Sequence, residues 1–349
     1  MKFCEIAKIT MGQSPKSESY NNNGVGLPFL QGRTTFGRIY PFFDTWTTQY
    51  NKTAQKGDIL FTVRAPVGDI NIANRDIAIG RGIAAITGIN NISNKYLFYL
   101  IEGNKSKFIE SSVGTIYDSI NRDELENVNL NVHDSNTQQH IVDSIGSVDD
   151  AIEKNEEIIE KIRVYGNKLF NTIDTCKCID ASSLISFEKG IEIGSSNYYD
   201  NEIENSIPYI RVGNLLNNSY DTYCIDNGYR KCDYDEILIA FDGAPGRNSI
   251  GLCGAYSSGI YKVICDSKLK GFVYFFINSN LCQDIIKQNS QGTTILHASK
   301  SIKLLKMPSI DNVILNNQLN DLYNILINLY KKQISLKKIK QLLLNKYFD

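Results

Sequence analysis

Two spacings of apolar residues alternate along the chain. Short runs, "DILFTV" from Asp58, "DINIA" from Asp69, "EILIAF" from Glu236 and "IYKVIC" from Ile260, are apolar at every second position or nearly throughout. Gly, Pro and Asn punctuate the chain around them, and the pattern predicts strands. Residues 94–112 and 269–288 place apolar residues three and four apart and predict helices. Two longer stretches extend that alternation much further. The first runs Ile141, Ile145, Val148, Ile152, Asn155, Ile159, Ile162, Gly166 and Leu169; the second runs Leu319, Leu322, Leu326, Leu329, Gln333, Leu336, Lys340 and Leu343. Both are heptad seams, the spacing of a coiled coil. Two amphipathic helices packed on separate domains would share it. Charge favours a pair: residues 138–171 carry seven acidic and four basic side chains, residues 322–348 six lysines and no acid.

The chain also repeats itself. "LPFLQG" at Leu27 answers to "IPYIRVGN" at Ile207, and "GDILFTVRAPVG" at Gly57 to "DEILIAFDGAPGR" at Asp235. "RGIAAI" at Arg81 answers to "SGIYKVI" at Ser258, "SSVGTI" at Ser111 to "NSQGTTI" at Asn289, and "QQHIV" at Gln138 to "NNQLN" at Asn316. The offsets are 180, 178, 177, 178 and 178 residues. Matched segments in order at a near-constant offset mark a tandem duplication of about half the chain rather than a many-fold solenoid.

Connectivity then sets a direction for the long helices. The second globular region begins near Thr175, after the first helix, and ends before the second. One compact domain at both places requires antiparallel helices, with the globular regions at opposite ends of a rod about 50 Å long. The chain termini would meet near the first region. The expected fold class is α+β: two pseudo-repeated globular domains separated by an antiparallel two-helix coiled coil, with pseudo-two-fold symmetry. The expected boundaries are 1–135 and 175–311 for the globular domains, and 136–174 and 312–349 for the long helices. Aligned at their centres, the helices set Asn155 opposite Gln333, a polar pair suited to fixing register. Both residues tipping into solvent is the alternative.

Composition narrows the class. Hydrophobic content is 42% and charged content 21%, ordinary for a folded globular protein. No apolar run is long enough for a membrane span, and "MKFCEIAKIT" lacks the core of a secretion signal, so the cytoplasm is the expected location. The eight cysteines form no CxxC pair, which suits reduced thiols; a zinc site from Cys224, Cys232, Cys253 and Cys265 is the other reading. Net charge of −1 does not single out a polyanionic partner. It does not exclude one, because phosphate contacts depend on local clusters.

Catalytic motifs are missing. The three histidines, His133, His140 and His297, form no HExxH or HxH. The sequence has no GxxxxGK[ST], no NPPY and no ExK triplet. "FDGAPG" from Phe241 has no GxGxxG helix opening, and its partner "VRAPVG" from Val63 points to a structural turn. No catalytic residue and no metal site is expected. Two diverged modules on a rigid spacer suit the reading of two short targets at a fixed separation, and DNA, whose groove repeats every ~34 Å, is the obvious linear target.

These features together resemble the specificity subunit of type I restriction–modification systems. The resemblance rests on the doubled "GDIL"-type strand with its glycine turn, the doubled Gly-Thr-Ile motif ("VGTI" from Val113, "QGTTI" from Gln291) and the heptad helix that follows in each half. It implies two target-recognition domains reading a bipartite, asymmetric double-stranded DNA target, one half-site each. It also implies docking of two modification methyltransferase subunits and of restriction/translocase subunits. S-adenosylmethionine, ATP and magnesium would belong to those partners, and this chain would need no cofactor. The family's proline-bearing Glu-Gln segment before each long helix is altered here to "NLNVHDSNTQQHIV" and "MPSIDNVILNNQLN".

Base reading requires groups that donate or accept in a groove, with Arg matched to guanine and Asn or Gln to adenine. Loop-like candidates in the first module are Gln31, Arg33, Thr34, Thr35, Arg38, Arg64, Arg75 and Arg81. Those in the second are Arg211, Asn214, Arg230, Lys231, Arg247, Asn248 and Ser249. Thr115 and Tyr117, with Thr293, Thr294 and His297, flank the repeated glycine, where backbone amides could hold a phosphate. Any of these cations could instead be a solvated charge or pair with a nearby acid such as Asp69 or Asp76. Trp46, Phe42 and Phe43 are expected in the core. Other readings are the DNA-recognition subunit of a different methylating nuclease, a scaffold binding proteins, and an enzyme with an unrecognised site.

Overall fold

A computed structural model describes residues 1–112, 119–292, 296–309 and 312–348. Thr115, Tyr117, Thr293 and Thr294 lie outside the described residues. The chain divides into two compact units: residues 1–150 with 338–349, and residues 151–337.

Unit 1 contains two sheets. The first orders strands Ala7–Met11, Ile83–Gly88, Ile59–Thr62 and Ile70–Ile72, all antiparallel. The second orders Tyr20–Asn21, Trp46–Thr47, Leu27–Leu30, Ile77–Ile79 and Thr53–Ala54, with Leu27–Leu30 and Ile77–Ile79 parallel. Ile59–Thr62 explains its own apolar run. Ile59 and Phe61 enter one core cluster while Leu60 enters another, because successive side chains point to opposite faces. Burying each such side chain contributes roughly 1.5–3 kcal/mol.

Unit 2 repeats this plan. Ile185–Lys189, Ile260–Cys265, Ile237–Ala240 and Asn248–Ser249 form its first sheet. Tyr223–Ile225, Ser206–Ile210, Gly254–Tyr256 and Lys231–Cys232 form its second, again with one parallel pair, Ser206–Ile210 beside Gly254–Tyr256. Ile237 and Ile239 face one cluster, Leu238 and Ala240 another. Over four strands of each sheet the order and pairing sense match unit 1, which adds Tyr20–Asn21 to its second sheet, while unit 2 adds a separate pair, Cys178–Asp180 with Lys306–Pro308; the duplication read in the sequence is a duplication of topology.

Each helix expected over 94–112 and 269–288 is two helices. Asn94–Gly103 stops where the Asn104 amide donates to the Leu100 carbonyl at 2.9 Å, and Lys105–Glu110 follows. Lys270–Asn278 stops at Ser279, whose extended backbone breaks the helix while its hydroxyl caps Asn280–Gln288 through the Cys282 amide. Asn and Ser serve caps better than helix interiors because their side chains compete for backbone groups.

The long helices span Ser135–Phe170 and Val313–Phe348. Every seam position named above is buried or half-buried. Within each unit the two stretches run antiparallel. In unit 1 Asp149 meets Lys340 and His140 meets Tyr347; in unit 2 Asn155 meets Gln333 and Arg163 meets Tyr330. No helix among the described residues is long and apolar enough to cross a membrane. All eight cysteines are free thiols, and Cys224 and Cys232 sit in separate clusters.

Candidate functional site

The parallel strand pair of unit 1 delivers two chain segments side by side at the C-terminal ends of two inner strands of its second sheet. Gln31 follows the strand ending at Leu30, and Arg81 follows the strand ending at Ile79. The Gly80 amide donates to the Leu30 carbonyl at 2.8 Å, the Arg81 amide to Ser14 Oγ at 3.2 Å, and Ser14 Oγ to Gln31 Oε1 at 3.0 Å. Glycine flanks Arg81 for a steric reason. A Cβ on Gly80 would lie 2.7 Å from Gln31 Oε1, and one on Gly82 would strike the Gln31 carbonyl oxygen. Asp44 enters from the turn before Trp46–Thr47. Its carboxylate accepts from Thr45 Oγ1 at 2.8 Å, and the Phe29 amide donates to the Thr45 carbonyl. Ser14, Gln31, Thr34, Asp44 and Arg81 line a cleft of about 610 Å³ together with the rings of Tyr20 and Phe29, whose centroids are 4.8 Å apart. Among the described residues neither Arg81 nor Asp44 makes an ion pair.

Unit 2 builds the same frame at equivalent positions. The Tyr209 amide donates to the Thr222 carbonyl, the Ser257 amide to the Ile210 carbonyl and the Ile191 amide to the Tyr256 carbonyl, matching the bonds of Phe29, Gly80 and Gln13. Asp221 accepts from Thr222 Oγ1 as Asp44 does from Thr45, and the rings of Tyr198 and Tyr209 pack 5.3 Å apart. The groups at the tips differ. Glu192 stands where unit 1 has Ser14, Arg211 where it has Gln31, and Ser258 where it has Arg81. Arg211 lies over the Tyr198 ring and pairs with Asp221 at 3.2 Å; Glu192 accepts from Tyr198 Oη at 2.6 Å and from Ser258 Oγ at 3.3 Å. Burial pushes the Asp221 carboxyl up, but hydrogen bonds from Asn214, Thr222 and Arg211 outweigh it and hold the group below its ordinary value.

The remaining candidates separate by what they touch. Arg33 shares Asp69 with Lys105, at 2.5 and 2.6 Å; burial raises Asp69, and the two cations more than reverse that. Arg38 pairs with Asp149 at 3.6 Å, and Arg75 lies over Phe43. Arg64 is exposed and, like Arg81, makes no ion pair among the described residues. In unit 2 Arg230 donates to the Lys189 carbonyl, Lys231 pairs with Asp226 at 2.8 Å, and His297 Nδ1 lies 2.8 Å from Asp242. Arg247 is half-buried against the Val212 carbonyl, and the Asn248 amide pairs with Asn278.

Three candidates need correction as outward-facing groups. Thr35, Asn214 and Ser249 are buried. Asn214 Oδ1 accepts from the Arg211 amide at 2.7 Å and Ser249 Oγ donates to Asn218 Oδ1, so both hold loops in place. Phe42, expected in the core, is 58% exposed, while Phe43 and Trp46 are half-buried. On the long helices Asn155 Nδ2 donates to Gln333 Oε1 at 2.7 Å and to the Leu329 carbonyl at 3.0 Å, and Gln333 Nε2 donates to Glu156. Both residues are buried and stand at equivalent positions of the repeat, 178 apart. Ser14, Tyr20 and Asp44, with Glu192, Tyr198, Asp221 and Ser258, are absent from the sequence-derived candidates. A further repeated segment, "DTWT" from Asp44 and "DTYC" from Asp221, was the available signal.

Residues 1–164 match the family model described as "Type I restriction modification DNA specificity domain". A putative type I restriction enzyme specificity subunit, MjaX, of Methanocaldococcus jannaschii is 38% identical over 171 residues, covering 49% of this chain and 40% of that protein. The MjaIX specificity subunit of the same organism is 24% identical over 231 residues, covering 62% of this chain and 50% of that protein. The chain thus spans half or less of the length of these curated relatives. The crystal structure of a type I restriction–modification S subunit from M. genitalium shares the fold at a TM-score of 0.58 and 17% identity, covering 100% of this chain and 95% of that one.

Proposed function

We propose, from the premise that residues 1–164 belong to the type I restriction–modification DNA specificity domain family, that the chain is the non-catalytic subunit that chooses the DNA sequence in such a system. One observation carries this reading: the same backbone frame is built twice and tipped with different polar groups. A scaffold that only held proteins together has no need of two diverged polar tips on an otherwise repeated frame. A reader of a split, asymmetric target needs just that, because base edges are distinguished by the donors and acceptors facing them.

In this reading residues 1–135 and 175–311 each read one half-site, and the long helices 136–174 and 312–349 set the spacing between them, with the Asn155–Gln333 contact fixing their register. Two modification methyltransferase subunits and the restriction/translocase subunits supply the chemistry with S-adenosylmethionine, ATP and magnesium. The engaged cations, Arg33 with Lys105 and Arg230 with Lys231, serve the loops or contact phosphate, which positions a protein without reading sequence.

Methylome sequencing of a strain with and without this subunit tests the proposal. The expected outcome is a split, asymmetric methylated motif that disappears with the subunit. No subunit-dependent motif, together with no sequence-selective retardation of DNA by the subunit plus its methyltransferase partners, would refute it.

A further inference from the structure

We infer that positions 14, 31 and 81 of unit 1, and their equivalents 192, 211 and 258 of unit 2, set the base sequence of the two half-sites. The inference rests on the reading of the chain as a DNA-specificity subunit and assigns its discriminating groups. The frame beneath these positions is retained between the copies: the Asp-Thr turn, the tilted pair of rings and the hydrogen bond linking the two parallel strands. The side chains on the frame are not retained. Unit 1 presents a hydroxyl, an amide and a guanidinium; unit 2 presents a carboxylate, a guanidinium and a hydroxyl. Unlike polar groups at the tips of a frame whose hydrogen bonds are kept are what two readers of unlike short sequences require.

The groups are also held in fixed relation. Ser14 bridges the Gln31 side chain and the Arg81 backbone, and Gly82, where a Cβ would strike the Gln31 carbonyl oxygen, lets the two segments lie this close. Groups locked this way discriminate more sharply than groups on long, free loops, because little motion is lost on binding. Arg81, with no ion pair among the described residues, suits the O6 and N7 of a guanine, and the Gln31 amide suits an adenine; in unit 2 Arg211 takes the guanine role by exchanging its exposed 3.2 Å pair with Asp221 for the base. Arg33 lies outside this set: its guanidinium is drawn to Asp69, which Lys105 also binds.

The test uses the full-length subunit expressed with its methyltransferase partner, read by methylome sequencing. Arg81→Ala should relax one base pair of one half-site, with about ten- to hundredfold loss of discrimination there, and leave the other half-site unchanged. Arg211→Ala should do the same in the opposite half-site. Ser14→Glu, Gln31→Arg and Arg81→Ser together should change the bases that unit 1 selects. Arg122→Ala, at an exposed helix position where Arg122 pairs with Glu126, should leave the motif intact. An unaltered motif in Arg81→Ala and Gln31→Ala, or equal damage to both half-sites, would overturn the assignment, and the single variants settle it if the triple variant does not fold. A wild-type subunit that directs no split motif would defeat the specificity-subunit reading itself, an outcome distinct from a motif that persists in the variants.

Discussion

The two units attach their long-helix segments to the same layer by opposite means. In unit 1 Tyr99 Oη donates to Asp149 Oδ2 at 3.0 Å, and Lys340 Nζ lies 3.1 Å from Asp149 Oδ1 and 2.9 Å from Glu102 Oε1. The repeat offset of 178 carries Tyr99, Asp149 and Lys340 onto Ile277, Ile327 and Ile162, and Glu102 onto Asn280. The three isoleucines belong to one apolar cluster. A second exchange runs beside it. Leu97 and Leu344 share the unit 1 core, while their equivalents in unit 2 are Phe275 and Gly166, large against none. One topology accepts both solutions. What it demands is filled volume and satisfied polar groups, not particular residues.

The charge cluster gives the largest expected effect. Lys340→Met leaves Glu102 without its paired cation and Asp149 with only the more distant Arg38, at 3.6 Å, and unit 1 should lose roughly 3 kcal/mol, the low end of the cost of breaking a buried pair. Hydrogen exchange resolved along the chain reads this unit by unit. Grafting the unit 2 set (Tyr99→Ile, Glu102→Asn, Asp149→Ile, Lys340→Ile) should recover most of that loss, because apolar replacements of buried ion clusters are often neutral or stabilising and Arg38, partly exposed, can turn to solvent once Asp149 is gone. A graft as damaging as the single variant would show that the two solutions are not interchangeable.

Next comes volume. A Cβ on Gly166 would strike the Phe275 ring, so Gly166→Ala should cost unit 2 about 1–3 kcal/mol, although alanine is the better helix former by about 1 kcal/mol. Adding Phe275→Leu, the residue type of unit 1, should restore most of the stability in a double-mutant cycle. Strictly additive losses would mean that the ring and the glycine are not coupled.

How much of this was legible beforehand depended on the range of the interaction. The strands, the heptad seams and the repeat are local or periodic signals, and they were legible. Asp149 was not. It follows seam residue Val148 by one position, where a free coiled coil would expose it, but the globular layer covers that side and buries it. The helix breaks at Asn104 and Ser279 were also missed, since three–four periodicity continues across them. The cleft was only half visible: Gln31 and Arg81 are fifty residues apart and meet through a parallel strand pairing that no spacing rule announces.

A smaller effect concerns the Asn155–Gln333 contact, which joins equivalent positions of the two repeats rather than distinguishing them. Replacing both by leucine should raise the melting temperature by the equivalent of about 1 kcal/mol while permitting shifted pairings. An unchanged melting temperature with a single, unshifted pairing would remove the polar pair's role in register.

The smallest effect is a difference in pH response. Burial pushes the Glu102 carboxyl above its ordinary value of 4.5, and the ammonium of Lys340 opposes the shift without overcoming it. An acid raised in this way holds its proton more tightly when folded. Its contribution to stability is therefore present below the unfolded value and is lost as pH rises through the folded one. Unit 2 has Asn280 at this position and no titrating group. Raising pH upward from the ordinary carboxylate range should thus weaken unit 1 relative to unit 2. Glu102→Gln keeps the shape, removes the titration and should flatten that slope, as exchange protection measured at several pH values would show. A slope that survives Glu102→Gln would place its origin elsewhere in unit 1 and leave the charge cluster different from the three isoleucines in composition but not in response to protons.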